Sequence, residues 1–265
     1  MVGGPFHPAS PIPLPSMEAK NSFQLTAFLR ALFLILSAAV YSCVLGLPAL
    51  IVCLVDRSGR WFSSFQRLWA NWLLRTNGIR LSVQGLESVQ KGHSYILISN
   101  HVSILDIPGI ISAFPFPVRF IAKKSLAWFP IFGWNLYLSK HILIDRESTP
   151  SALKSLKKAA SLLKSGISII VFPEGTRSAD GQVKEFKRGG FLLGLQSQAP
   201  IVPVAISGTY RMLPRASWCF WPGTIEIHVE KPIPTQGLPL RESRTLMQRV
   251  RNTIIQNLKP EGQKT

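Results

Sequence analysis

A histidine and a carboxylate five residues apart, His101 and Asp106, stand directly after a short apolar run. Residues 95–98 read as a buried strand. Asn100-His101-Val102-Ser103-Ile104-Leu105-Asp106 then forms a polar turn into the apolar Ile107-Pro108-Gly109-Ile110-Ile111. In open α/β sheets, ligands bind beyond the carboxyl ends of the strands. An imidazole placed there can serve as a general base, with the carboxylate fixing its tautomer and stabilising its protonated form. The same letters also have a purely structural reading. Ser103-Ile104-Leu105-Asp106 has the S-x-x-D form of a capping box, which would employ Asp106 at a helix start and leave His101 an ordinary loop histidine.

A second apolar run ends in chemistry at Ile169-Ile170-Val171-Phe172-Pro173-Glu174-Gly175-Thr176-Arg177-Ser178. Gly175 permits a sharp turn or a close approach to a ligand. Arg177 offers a planar fork suited to a phosphate. Glu174 is expected either to hold Arg177 or to accept from a substrate hydroxyl. The plain alternative is a surface turn with a solvated ion pair. Lys123 and Lys124 follow another expected strand, and Arg146 follows a further one. In a largely parallel sheet these ends share one edge, giving a positive crevice with one base in it. Such a crevice suits an anionic substrate whose hydroxyl is deprotonated. Ser103 is the nearby nucleophile candidate and, as the expected cap, would be engaged. A separate reading makes His101, Asp106 and Glu174 metal ligands, but the chain has no zinc-ligand spacing.

The elements that must position these residues follow from the patterning. Expected strands cover residues 79–83, 95–99, 118–122, 141–145, 167–172, 201–207 and 224–230. Several are short continuous apolar runs, as in strands covered on both faces. The last alternates and should be half exposed, with His228 on its wet side. Residues 151–165 read as a helix, with Thr149 to cap it, Pro150 in its first position and Gly166 to close it. The fold class expected is α/β: a largely parallel or mixed sheet flanked by helices, behind an N-terminal helical membrane-anchoring segment.

Three domains are expected: a disordered proline-rich tail over 1–16, anchoring and interfacial helices over 17–80, and the catalytic domain over 81–265. Met17 opens more ordinary sequence and is a candidate natural start. Residues 31–55 contain no charge, which is long enough to span a bilayer core as a helix. Pro48, after Gly46, is expected to kink or split it, so that a re-entrant hairpin competes with a full span. Arginines 57, 60 and 67 follow, which favours a cytoplasmic side for what comes after. Trp61, Phe62, Phe65, Leu68, Trp69, Trp72 and Leu73 recur at helical spacing among arginines. They read as an interfacial helix in preference to one covering the core.

Net charge is +17, and because bases and acids cancel before Arg57, all of it lies beyond. This favours nucleic acid, acidic lipid or phosphorylated ligands. No helix-turn-helix or RNA-binding signature accompanies it. The three cysteines form no C-x-x-C pair and no disulfide framework.

Together these segments resemble the glycerolipid acyltransferases. Asn100-His101 to Asp106 resembles the family's N-H-x-x-x-x-D motif, and Phe172-Pro173-Glu174-Gly175-Thr176-Arg177-Ser178 its F-P-E-G-T-R-S motif. Phe120-Ile121-Ala122-Lys123 with Leu126, Pro130 and Gly133, then Phe186-Lys187 with Gly189, then Ala199-Pro200-Ile201-Val202-Pro203-Val204, resemble further family segments in the same order. Ser125 stands where the family usually has glutamate, and Ser139-Lys140-His141 where it has a glycine-containing approach to Ile144-Asp145-Arg146. The resemblance covers residues 81–232 and is most specific for the lysophosphatidic acid acyltransferase branch.

The resemblance implies transfer of an acyl group from acyl-CoA or acyl carrier protein to the sn-2 hydroxyl of 1-acylglycerol 3-phosphate. His101 and Asp106 would be catalytic; Lys123, Arg146, Glu174, Gly175, Thr176 and Arg177 would bind substrate. No metal or cofactor beyond the acyl thioester is implied, and the partners are membrane lipids, not nucleic acid. The expected location is a membrane, the inner one in a bacterium. A related acyltransferase with another acceptor (a lyso-ornithine lipid, glycerol 3-phosphate or another lysophospholipid) and a non-catalytic basic binding protein remain open at this point.

Overall fold

The computed structural model describes residues 17–56, 59–144 and 149–259. The proline-rich tail, Arg57 and Arg146 lie outside the described residues. The strands are β1 (Arg80–Gln84), β2 (Ile96–Ser99), β3 (Val118–Lys123), β4 (Ile142–Ile144), β5 (Ser168–Val171), β6 (Ile201–Ser207) and β7 (Thr224–Val229). They form one sheet in the order β1-β7-β6-β2-β5-β3-β4. The run from β6 to β4 is parallel, β7 is antiparallel to β6, and β1 runs with β7. The sheet is therefore mixed, and the five parallel strands deliver their carboxyl ends to one edge.

Side chains alternate across a strand, so each strand feeds two cores. On one face Leu97, Phe120, Ile170 and Val204 meet helices α1 (Met17–Val55), α2 (Arg60–Thr76) and α3 (Asp106–Ala113) through Leu34, Leu73 and Ile110. On the other, Ile98, Ile169 and Ile201 meet α5 (Thr149–Lys164), α6 (Gly189–Ser197) and α8 (Ser243–Gln256) through Leu162, Phe191 and Val250. Two short helices, α4 (Phe132–Leu138) and α7 (Thr209–Met212), follow β3 and β6. Every residue of β2, β5 and β6 is buried, whereas β7 alternates as its sequence requires. Helix α5 closes as expected. Gly166 is left-handed at φ +82, its N–H donates to Leu163 O and that of Ile167 to Leu162 O, both at 3.0 Å, the double bond of a Schellman ending.

One expectation about the N-terminal region, that Pro48 splits its apolar run, is corrected. Helix α1 runs unbroken through Pro48 for 39 residues. Neighbours brace it on the N-terminal side of the proline: Asn77 Nδ2 donates to Ser37 Oγ at 3.0 Å, Trp69 Nε1 to Ser42 Oγ at 3.2 Å and Asn135 Nδ2 to Gly46 O at 3.1 Å. One stripe, through Ala27, Ala31, Leu34, Leu45 and Ala49, is buried and the remaining faces are exposed. Ser22–Val55 is long and apolar enough to cross a membrane, so α1 is a candidate anchor. Helix α2 divides its apolar residues. Phe62, Ala70, Leu73 and Leu74 are buried, while Trp61, Leu68 and Trp72 face outward. Of the seven apolar residues expected at the membrane interface, the core takes Phe62 and Leu73, Phe65 and Trp69 are half-buried, and Trp61, Leu68 and Trp72 stay exposed.

A buried cation fastens α2 to the sheet. Arg119 on β3 is fully buried, and its guanidinium donates to Ser139 O, Ser63 Oγ, Val118 O and Gly59 O at 2.6–3.1 Å. Burial pushes its pKa down to about 10, so it stays charged at neutral pH. Beside it His141 is fully buried and its Nδ1 accepts from the Phe120 N–H at 2.9 Å. Burial, with Arg119 and Lys158 nearby, holds the His141 pKa well below 6.5.

Candidate active site

The site lies where β2, β5 and β6 end. Asn100, buried directly after β2, donates from Nδ2 to Ile206 O and accepts at Oδ1 from the Ile206 N–H, both at 2.9 Å. Its amide continues the ladder to β6 after backbone pairing has stopped, which fixes the start of the turn. His101 follows, with its ring stacked on Phe172 at a centroid distance of 4.1 Å. Its Nδ1 lies 2.8 Å from Asp106 Oδ2.

Asp106 is fully buried at the start of α3. Oδ2 also accepts from the N–H groups of Val102 and Ser103 at 2.9 and 3.0 Å, and Oδ1 accepts from the Thr209 hydroxyl at 2.6 Å. The capping and catalytic readings are therefore compatible: one oxygen closes the turn and orients the imidazole. Facing donors on every side, Asp106 has the contacts of an ionised carboxylate. This assigns the proton on His101 to Nδ1 and leaves Nε2 unprotonated, with the side chain 15% exposed. Ser103 is engaged as expected, but not as a simple cap. Its hydroxyl donates to Leu213 O at 2.7 Å and accepts from the Leu105 N–H.

The second turn is joined to the first through the backbone of His101. Glu174 is buried. Its Oε1 accepts from the His101 N–H at 2.8 Å and its Oε2 from the Lys184 N–H at 3.3 Å. The Ser178 N–H donates to His101 O at 2.8 Å. Both faces of the His101 peptide are thus clamped by the Glu174–Ser178 turn. This differs from the expectation that Glu174 holds Arg177 or meets substrate, because its oxygens are directed at main-chain donors. Burial pushes the Glu174 carboxyl up, and the two N–H bonds partly oppose this.

Gly175 is left-handed at φ +75, and a Cβ there would stand 3.1 Å from Lys187 Nζ. Glycine lets the turn close without steric cost and brings an ammonium against it. Thr176 is exposed and Arg177 half-buried, with Arg177 O accepting from Arg215 Nη1 at 3.0 Å. Lys123 is exposed at the end of β3. The pairing of Phe120 with Ile170 carries it to the level of Pro173 on the same edge. Lys123, Lys187, Arg177 and Arg215 thus belong to the strand end and turns on the sheet edge that also carries His101, and Arg146 lies outside the described residues.

Reasoning from sequence missed Thr209, Lys187, Arg215 and the stacking of Phe172. Thr209 lies 103 positions from Asp106, and no spacing rule reaches that far. Among the described residues no group of three or more His, Cys, Asp or Glu could hold a metal ion. Asp106 and Glu174 turn their oxygens toward N–H and O–H donors instead.

A family model described as Acyltransferase matches residues 80–207. The 1-acyl-sn-glycerol-3-phosphate acyltransferase of Pseudomonas aeruginosa is 35% identical over 193 residues, covering 72% of this chain and 74% of that protein. The human 1-acyl-sn-glycerol-3-phosphate acyltransferase alpha is 35% identical over 179 residues. The match covers 67% of this chain but only 63% of the human enzyme, just under two thirds of its length. Among solved structures, the 1-acyl-sn-glycerophosphate (LPA) acyltransferase PlsC of Thermotoga maritima superposes with a TM-score of 0.76 at 26% identity, covering 91% of this chain and 99% of that one. With its histidine–aspartate couple and basic Glu-Gly-Thr-Arg turn on one sheet edge, the chain belongs to the glycerolipid acyltransferase family, that of the 1-acyl-sn-glycerol-3-phosphate acyltransferases.

Proposed function

We propose that this protein transfers a fatty acyl group from an acyl thioester to the sn-2 hydroxyl of 1-acylglycerol 3-phosphate, forming phosphatidic acid. The observation that carries the reading is the His101–Asp106 couple, locked by Thr209 and two backbone N–H groups, beside a turn that carries Arg177 and approaches Lys187. His101 Nε2 takes the hydroxyl proton as the oxygen attacks the thioester carbonyl carbon. A C–O bond forms, the C–S bond breaks, and the sulfur leaves with the electron pair and takes the proton from His101. A thiol with pKa near ~8.5 leaves readily, so no covalent enzyme intermediate is needed. Asp106 stays ionised and offsets the imidazolium charge during the transfer.

Arg177 and Lys123, with Arg146, hold the acceptor phosphate. Gly175 and Thr176 shape the pocket, and Glu174 serves substrate indirectly by fixing the His101 peptide. The only small-molecule partner besides the acceptor is the thioester, on coenzyme A or acyl carrier protein. Residues 17–80 anchor the catalytic domain that begins at residue 81 to the membrane. The arginines after α1 support a cytoplasmic side for that domain by the positive-inside rule.

The test is thioester consumption by the purified full chain in lipid vesicles, over a matrix of donors and acceptors. Lysophosphatidic acid should exceed glycerol 3-phosphate, lyso-ornithine lipid and lysophosphatidylcholine in kcat/KM with at least one of the two carriers. Preference for an acceptor without a phosphate monoester would overturn the assignment.

A further inference from the structure

The segment between β3 and β4 is built against its own solubility. Trp128 is 85% exposed, Tyr137 67%, Phe129 59% and Trp134 52%, with Phe132 and Leu138 also exposed. Contiguous exposed apolar surface of this kind marks a contact site. The segment consists of a 3-10 turn, Lys124–Trp128, followed by α4. Among the described residues, α4 rests on α1 at Gly46. Asn135 Nδ2 donates to Gly46 O at 3.1 Å, and a Cβ on Gly46 would come within 2.8 Å of Ile131 Cγ2.

Gly46 lies inside the charge-free run of α1, about 22 Å along the helix from Ala31 and about 14 Å from Val55 at 1.5 Å per residue. Whatever depth α1 has at Gly46, α4 shares it. The composition agrees, since Trp and Tyr favour the bilayer–water interface. Lys123 and Lys124, at the entry to the segment, suit anionic headgroups.

We propose that the Lys124–Leu138 segment is a second lipid-inserted element, seated in the same leaflet as the part of α1 it touches. The inference rests on reading α1 as a membrane anchor and commits to one occupant, a bilayer containing anionic phospholipid. Its functional consequence lies at Lys123, which ends β3 on the site's edge and directly precedes the inserted segment. Insertion of the segment sets Lys123 at headgroup height. A lysophospholipid then reaches Lys123 sideways from the leaflet, without its acyl chain crossing water.

The experiment uses the full chain with Cys43, Cys53 and Cys219 replaced by serine. Single spin labels are introduced by Trp128→Cys, Tyr137→Cys, Val44→Cys on α1 and Gln248→Cys on exposed α8. Each variant is reconstituted in vesicles of phosphatidylcholine and phosphatidylglycerol. Collision with oxygen, which partitions into lipid, is compared with collision with a water-soluble nickel complex. Labels at 128 and 137 should follow position 44 in favouring oxygen, while 248 favours nickel.

If 44 favours oxygen and 128 and 137 behave as 248, the proposal fails and the α1 anchor stands. If 44 also favours nickel, the anchor reading fails with it. Shielding of 128 and 137 from both reagents means that a protein, such as a second copy, covers the patch, which also overturns the proposal. As a functional check, Trp128→Glu should raise the apparent KM for a long-chain acceptor in vesicles by about tenfold. It should leave kcat, and KM for a short-chain monomeric acceptor, unchanged. Equal effects on both acceptors would point to damage at the site and count against the proposal.

Discussion

At the scale of single residues, the proposed base is made by its surroundings. His101 has one ring nitrogen taken by Asp106, one face covered by Phe172 and both sides of its peptide clamped. General-base catalysis of this kind is worth about 10²–10⁴ in rate. His101→Ala should lower kcat by that factor while membrane binding and the unfolding temperature stay near wild type; turnover within about threefold of wild type would refute the base assignment. Thr209 touches Asp106 and acts through it, as a positioning residue. Thr209→Val keeps the shape but removes the donor to Oδ1, so kcat should fall about tenfold at unchanged acceptor KM, the cost of one hydrogen bond to a charged group. Thr209→Ser should restore most of it. Equal losses in the valine and serine variants would mean that packing, not the hydroxyl, matters.

At the scale of elements, two strand-end turns are fused into one object by Glu174 and by the Ser178–His101 bond. The arginine turn can then present its cations at fixed distance from the base. Gly175→Ala puts an L side chain at φ +75, a conformation costing about 1–2 kcal/mol. The expected result is a lower unfolding temperature and a weakened acceptor KM. Arg177→Ala should raise the KM for lysophosphatidic acid by about tenfold or more, as loss of a charge-assisted phosphate contact does, with a smaller change in kcat. An unchanged KM across acceptors bearing a phosphate would remove Arg177 from the binding role.

At the scale of the whole molecule, α1, α2 and the sheet share one core, so the candidate anchor folds with the domain. The junction is held by Arg119 and His141, both without exposed surface. His141 is neutral in the folded protein because its pKa is depressed; unfolded it titrates near ~6.5. Below about pH 6.5 the unfolded chain binds the extra proton, so this contribution is full above that pH and falls by about 1.4 kcal/mol per unit as pH drops. His141→Asn keeps an acceptor for the Phe120 N–H but cannot titrate. Unfolding followed between about pH 7 and pH 5 should show a steeper stability loss for wild type than for the variant. Parallel slopes would exclude His141 as the source.

The amino-acid sequence by itself determined the strands, the sheet edge they share and the two polar turns that meet there. Apolar runs such as residues 168–171 and 201–207 can be satisfied only by burial on both faces, and parallel strands bring their following turns together. His101, Asp106 and Arg177 were legible because each sits next to such a run. Tertiary structure alone decided what depends on long separations: Thr209 against Asp106, Glu174 against the His101 peptide, and Arg119 against the Gly59 carbonyl. It also decided which face of α2 is dry and that α1 continues through Pro48. Local pattern states that a face is apolar and that a proline weakens a helix. Whether a protein core, a lipid leaflet or a neighbouring helix compensates is settled by contacts between elements distant in the chain.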